Sequence, residues 1–165
     1  MRKTLSLSLA LMAAFSAASA SAADVAEDLV ISATVNNECS LIVGQLGGAA
    51  YNALNLGAQG YSTGALMVKC NAGTAYSIVP GEGLNFGAGD GRPTNRALSD
   101  GAGNVIPYGL FKDPGVSQVW GSGADAWEGT GTGEQKMIGV GYAFYDLNKV
   151  PAGDYSDTVE VTLSY

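Results

Sequence analysis

Apolar positions in this chain recur at every second residue, in short runs broken by glycine, and that period marks half-buried β-strands. Leu29, Ile31, Ala33 and Val35 share one face of a run over 29–35. Cys39 to Val43 (CSLIV) follows closely, and Tyr51 to Leu56 reads as a weak strand. The runs Ala65–Cys70 and Thr74–Val79 flank the turn tripeptide Asn71-Ala72-Gly73, which predicts a hairpin. Further strands are predicted at Val105–Lys112, with Pro107 marking an edge or bulge, at Val116–Trp120, and at Met137–Phe144. The last run is the most regular. Tyr155, Asp157, Val159, Val161, Leu163 and Tyr165 lie on one face, and Ser156, Thr158, Glu160, Thr162 and Ser164 on the other, which predicts one half-buried strand over 154–165.

No segment after residue 22 holds a helical apolar period for three turns. Many short strands separated by turn residues imply an all-β sandwich or barrel. Residues 81–133 carry 14 of the 24 glycines, so that stretch reads as loop-rich or as a flexible linker; with 165 residues in all, one domain is expected.

The N-terminus has a different character. Arg2 and Lys3 precede the apolar run Leu5–Phe15, and small residues from Ser16 onward offer Ala20-Ser21-Ala22 as a cleavage site. Residues 1–22 therefore read as a secretory signal peptide, with a retained N-terminal anchor as the alternative. No other stretch approaches the ~20 apolar residues of a membrane span, so no membrane insertion of the mature chain is expected. Without residues 1–22 the chain has 6 basic and 15 acidic residues, net −9. Such an acidic protein with no basic cluster does not suit nucleic acid. Export also sets the expected state of Cys39 and Cys70, the only cysteines, which an oxidising compartment would join in a disulfide; two free thiols are the alternative.

Candidate chemistry is sparse. The chain has no histidine, which removes Ser-His-Asp and Cys-His nucleophilic pairs and ordinary His-ligated metal sites. Gly60-Tyr-Ser-Thr-Gly64 matches the G-x-S-x-G pattern, but that turn needs a helix after it and a base, so Ser62 reads as a turn residue; a Ser62–Lys69 dyad lacks a supporting constellation as well. The Gly-x-Gly runs spell no dinucleotide or phosphate loop. Asp90-Gly91, Asp100-Gly101 and Asp113-Pro114 look like turns, and Asp100 to Asn104 is a weak calcium candidate. Trp120 and Trp127 would bind sugar if exposed and are packing residues otherwise. No enzyme activity, cofactor or metal is expected.

Four segments carry a resemblance: Ile31–Cys39 (ISATVNNEC), Leu66–Ile78 (LMVKCNAGTAYSI), Arg96–Leu98 with Ile106–Asp113 and Trp120-Gly121, and Val150–Tyr165 (VPAGDYSDTVEVTLSY). Together they resemble the spore coat protein U domain family, which includes the Csu-type pilins of archaic chaperone–usher pili. The resemblance implies an incomplete immunoglobulin-like β-sandwich lacking its final strand, completed by a donor strand from a chaperone or a neighbouring subunit. It implies three partners: a periplasmic pilus chaperone, an outer-membrane usher, and neighbouring pilin subunits in a head-to-tail polymer. It implies passage through the periplasm to a cell-surface fimbria, with adhesion and biofilm formation as the biological output. Carried onto this chain, Cys39–Cys70 is the family disulfide and residues 34–165 are the pilin domain. Residues 23–33 are the donor extension, with Val25, Leu29 and Ile31 as plugs; Glu27 shares their face, so either the register shifts toward Val30 or Glu27 lies at the groove rim. Val159, Val161, Leu163 and Tyr165 border the acceptor groove. The rival reading is a self-contained secreted coat protein or carbohydrate-binding adhesin, with Trp120 and Trp127 stacking on sugar.

Overall fold

The computed structural model describes residues 24–46, 59–89, 94–146 and 149–165. Residues 1–34 and 35–165 form separate units. In the first, residues 24–34 have no regular secondary structure, and all of them are exposed, Leu29 and Ile31 at 86% and 87%. The strand expected over 29–35 is therefore not formed. An alternating run becomes a strand only against a partner, because an unpaired strand leaves both its hydrogen bonds and its apolar face in water.

The second unit is all-β apart from one 3₁₀ turn at Gly123–Asp125. Its strands are β1 (Cys39–Val43), β2 (Gln59–Cys70), β3 (Ala75–Pro80), β4 (Arg96–Ser99), β5 (Val105–Phe111), β6 (Trp127–Thr130), β7 (Lys136–Tyr145) and β8 (Val161–Ser164). They form a five-stranded sheet in the order β1-β2-β7-β5-β4 and a three-stranded sheet in the order β6-β3-β8, and every pairing is antiparallel. The stretch expected to be loop-rich thus contributes β4 and β6 besides β5, which covers the strand expected at Val105–Lys112. Pro107 sits where β5 pairs only with β4; pairing with β7 begins one residue later at Tyr108, so the missing N–H costs no ladder bond.

The core fills the space between the two layers. Leu66 and Val68 of β2, Ile138, Val140 and Tyr142 of β7, and Ile106, Tyr108 and Leu110 of β5 come from the larger sheet, and Tyr76 and Ile78 of β3 from the smaller. Trp120 ties them together. Its side chain is 1% exposed and its Nε1–H donates to the Ile78 carbonyl at 3.0 Å, while its backbone N–H donates to Leu110 at 2.9 Å. Burial of an aromatic with its polar edge satisfied is the packing role, so Trp120 is not a sugar platform. Trp127 is partly buried and also packs on the core.

Three expected elements take another form. The Asn71-Ala72-Gly73 turn does not close a hairpin: β2 pairs with β1 and β7, β3 with β6 and β8, and the turn hands the chain from one layer to the other. Gly73 adopts φ +83° there, and the Asn71 carbonyl accepts from the Thr74 N–H at 3.1 Å. Both strands aim an alternating apolar face at the same core, which adjacent and facing strands do alike, so periodicity does not separate the two arrangements. Val116–Trp120 forms only an isolated bridge, Val119 to Phe111. Finally, the regular strand over 154–165 shortens to Val161–Ser164. The half-buried alternation persists from Tyr155 to Leu163, yet the partners change: Ser156 bridges Ser99 beside the larger sheet, the Glu160 carbonyl accepts from Gly81, and only from Val161 does the chain pair with β3. The weak strand expected at Tyr51–Leu56 and the Asp90-Gly91 turn lie outside the described residues.

Candidate functional site

Each sheet leaves one edge unpaired where the layers approach each other. Among the described residues β1 pairs only with β2 and β8 only with β3, and β1 and β8 are in contact across the layers. Leu41 of β1 and Val159, Val161 and Leu163 of the C-terminal segment lean on the core but stay half-exposed; Val43 is 46% and Tyr165 60% exposed. An apolar strip flanked by two rows of unsatisfied N–H and C=O groups is an unfilled strand position. The pattern of the last run announced Val159, Val161 and Leu163. The pattern of β1 does not mark Leu41 and Val43 as inward, because Ile42 between them makes the other face apolar as well.

The two cysteines meet at the head of this edge. Cys39 and Cys70 are register partners of β1 and β2 and form a disulfide, with Cα atoms 4.1 Å apart. The bond fixes β1 where half of its pairing is missing. Replacing both cysteines by alanine is expected to lower stability by about 2–5 kcal/mol, read from urea unfolding of the oxidised protein beside the variant.

A polar network closes the opposite end. Arg96 is buried; its Nε donates to the Gly81 carbonyl at 3.0 Å, and its Nη2 donates to the Pro80 carbonyl at 3.2 Å and to Gly81 as well. Tyr108, also buried, donates its hydroxyl to Asp157 Oδ2 at 2.7 Å, and Asp157 Oδ1 accepts from the Leu84 N–H at 2.9 Å and from Asn85 Nδ2 at 3.3 Å. This explains why a carboxylate occupies the inward face of an otherwise apolar run: Asp157 is a fastening for the chain just before β8. Nothing in the sequence pattern marked Arg96 or Tyr108 as its neighbours.

Burial and the Asp157 bond push the Tyr108 phenol above its ordinary pKa. The stability this contributes is fully present below about pH 10 and falls as pH rises, because the unfolded chain then releases a proton the folded one keeps, at about 1.4 kcal/mol per pH unit. Denaturation series above about pH 10 should show that slope, and Tyr108→Phe should flatten it by one proton's worth.

The remaining sequence candidates are structural. Ser62 lies within β2, paired with Tyr142 of β7, with no turn at it, and Lys69 pairs with Ser40 on the other side of the same strand. Asp100 closes its own loop, accepting from Asn104 Nδ2 at 2.6 Å and from the Ala102 and Asn104 N–H groups. The Asn104 bond first, with those backbone donors, holds its carboxyl below the usual range. Among the described residues no group of three or more acidic or cysteine side chains is placed to hold a metal ion. Val25, Leu29 and Ile31 stand exposed in the N-terminal unit.

Two facing layers with an open edge on each define an immunoglobulin-like β-sandwich that is one strand short. The chain belongs to the Spore Coat Protein U domain family, whose model matches residues 25–162. Among solved structures it is similar to a chain in the crystal structure of a chaperone–tip adhesion subunit pre-assembly complex from the archaic chaperone–usher Csu pili of Acinetobacter baumannii, with TM-score 0.60 and 22% identity over 80% of this chain. This chain covers 41% of that one, so it spans about two fifths of its length, and at this identity the likeness is one of fold. No curated protein matches the chain.

Proposed function

We propose that this chain is a structural pilin subunit of a chaperone–usher fimbria and that it polymerises by donor-strand exchange, in the service of adhesion and biofilm formation. The observation that carries the reading is the open edge between β1 and β8, with Leu41, Val161 and Leu163 half-covered, in a chain that also holds an exposed apolar arm. Residues 1–22 direct export, 23–33 donate a strand, and 34–165 form the pilin domain. In the periplasm a chaperone strand fills the edge; at the outer-membrane usher the arm of the next subunit replaces it. Main-chain bonds supply affinity and alternate side chains fill the strip. Its role is structural rather than catalytic.

The same reading takes one direction and one register for the donor. A donor antiparallel to β8, like every pair within the sandwich, with Leu29 opposite Leu163, places Ile31 opposite Val161. Glu27 then falls beside Tyr165, which is 60% exposed, so its carboxylate stays in water at the rim. On this reading the arm fills a neighbour's edge and not its own. Its root is held at the Ser164 end of β8: Asn71 donates its N–H to the Glu38 carbonyl at 3.0 Å, Thr74 Oγ1 donates to Asn37 Oδ1 at 3.2 Å, and β3, which starts next at Ala75, pairs Ser77 with Ser164. Folded back from there, the arm would run parallel to β8.

Deleting residues 23–33 from the mature chain tests the proposal. With chaperone and usher present, the full chain should give multimers that dissociate on heating, and the shortened chain should remain a chaperone-bound monomer. Multimers from the shortened chain, or none from the full one, would refute it.

A further inference from the structure

Two exposed apolar side chains lie outside the open edge, on a turn built to hold them still. Leu84 and Phe86 are 79% and 46% exposed. The turn carrying them is fixed from both sides: Leu84 N–H and Asn85 Nδ2 donate to Asp157 Oδ1, Asn85 Nδ2 also reaches the Ser156 carbonyl at 3.4 Å, Gly87 N–H donates to Asn95 at 2.9 Å, and Ala88 N–H donates to Asn85 at 3.3 Å. A solvent-facing turn needs no large apolar residues, and a rigid one that displays two of them offers a preordered contact.

Its position identifies the occupant. Pro80 pairs with Val161, so the turn lies just past the Val161 end of β8, whereas the arm root lies at the Ser164 end. The six residues of β3 separate the two ends by about 20 Å. On the donor-strand reading, on which this inference rests, a neighbour's arm running antiparallel to β8 leaves the edge at Val161. Val35 comes four residues after Ile31, about 13 Å along an extended chain, and by Glu38 the neighbour's own sandwich has begun. The neighbour's root is thereby delivered to the Leu84–Phe86 turn. That root carries an apolar residue of its own, since Val35 is 80% exposed. We infer that in the fibre the Leu84–Phe86 turn of each subunit packs against Val35 and the Asn71–Gly73 turn of the next copy of this chain, a second and strand-independent contact. Because it joins opposite ends of the molecule, it is heterologous and repeats along an open filament.

Cysteine cross-linking tests the contact. Val35→Cys with Leu84→Cys in one chain places the thiols at opposite ends of a subunit, far beyond the ~7 Å Cα limit for a bridge within it. Fibres of this variant, assembled with chaperone and usher, oxidised with diamide and heated in non-reducing detergent, should keep a covalent ladder spaced by one subunit. Either single variant should run as a monomer. Ala72→Cys with Phe86→Cys is the second pair, should the first impair assembly. Heat-dissociable multimers from either pair without a covalent ladder would overturn the contact and leave donor-strand exchange standing. If the unsubstituted chain itself gives no multimers, the donor-strand reading falls and the contact falls with it.

Discussion

Leu29→Asp subunits should be held by their chaperone as well as the unsubstituted chain, yet fail to enter a fibre. Leu29 is exposed in the single chain, so the substitution leaves the sandwich and its open edge untouched. In the polymer it would put a carboxylate between Leu163 and the core of the neighbour, where no lysine or arginine faces it from β1 or β8. The loss is the ~1.5–3 kcal/mol of a buried leucine together with the larger cost of burying an unpaired charge. Co-purification with the chaperone should be unchanged, and the heat-dissociable ladder should vanish. Glu27→Val, at the rim, should leave assembly intact or strengthen it. Normal fibres from Leu29→Asp subunits would dismiss both the register and the donor role of 23–33.

The mature chain produced without any partner should aggregate or be degraded, with chaperone co-expression raising the soluble yield at least tenfold. The reason is the strip between β1 and β8. Among the described residues, two rows of unpaired backbone groups flank half-covered Leu41, Val161 and Leu163, and such an edge pairs with any extended chain available. A monomer made alone that stays soluble and unfolds cooperatively in urea would mean that the sandwich is sufficient without a supplied strand.

Aggregation of this kind would differ from the effect of losing the disulfide. The Cys39–Cys70 bond holds β1 against β2, so its loss weakens the edge from which the strip is built, whereas an absent partner leaves the strip intact and exposed. Removing both should be worse than either alone.

The sequence by itself determined the elements that depend on local period and on chemistry. Short apolar runs bounded by turn residues placed β1, β5 and β7, and alternation placed the inward face of the last run, Val159, Val161 and Leu163, because a strand with one face on a core repeats every two residues. A lone cysteine pair in a chain expected to be exported was enough to expect the bridge that β1 and β2 form. The absence of histidine narrowed the chemistry before any fold was known. What tertiary structure alone decided was partnership. The Asn71–Gly73 turn changes layer instead of closing a hairpin, the residue 154–165 run divides between two sheets, and the 29–35 run forms no strand, although the runs beside that turn and the other two runs all carry the alternating pattern of strands that pair. Periodicity records which face meets apolar surroundings; it does not record whose edge supplies the hydrogen bonds. The same holds for the polar side chains. Asp157 was visible as an acid on an apolar face, but its partners Tyr108 and Leu84 are 49 and 73 residues away, and only the folded chain brings them together.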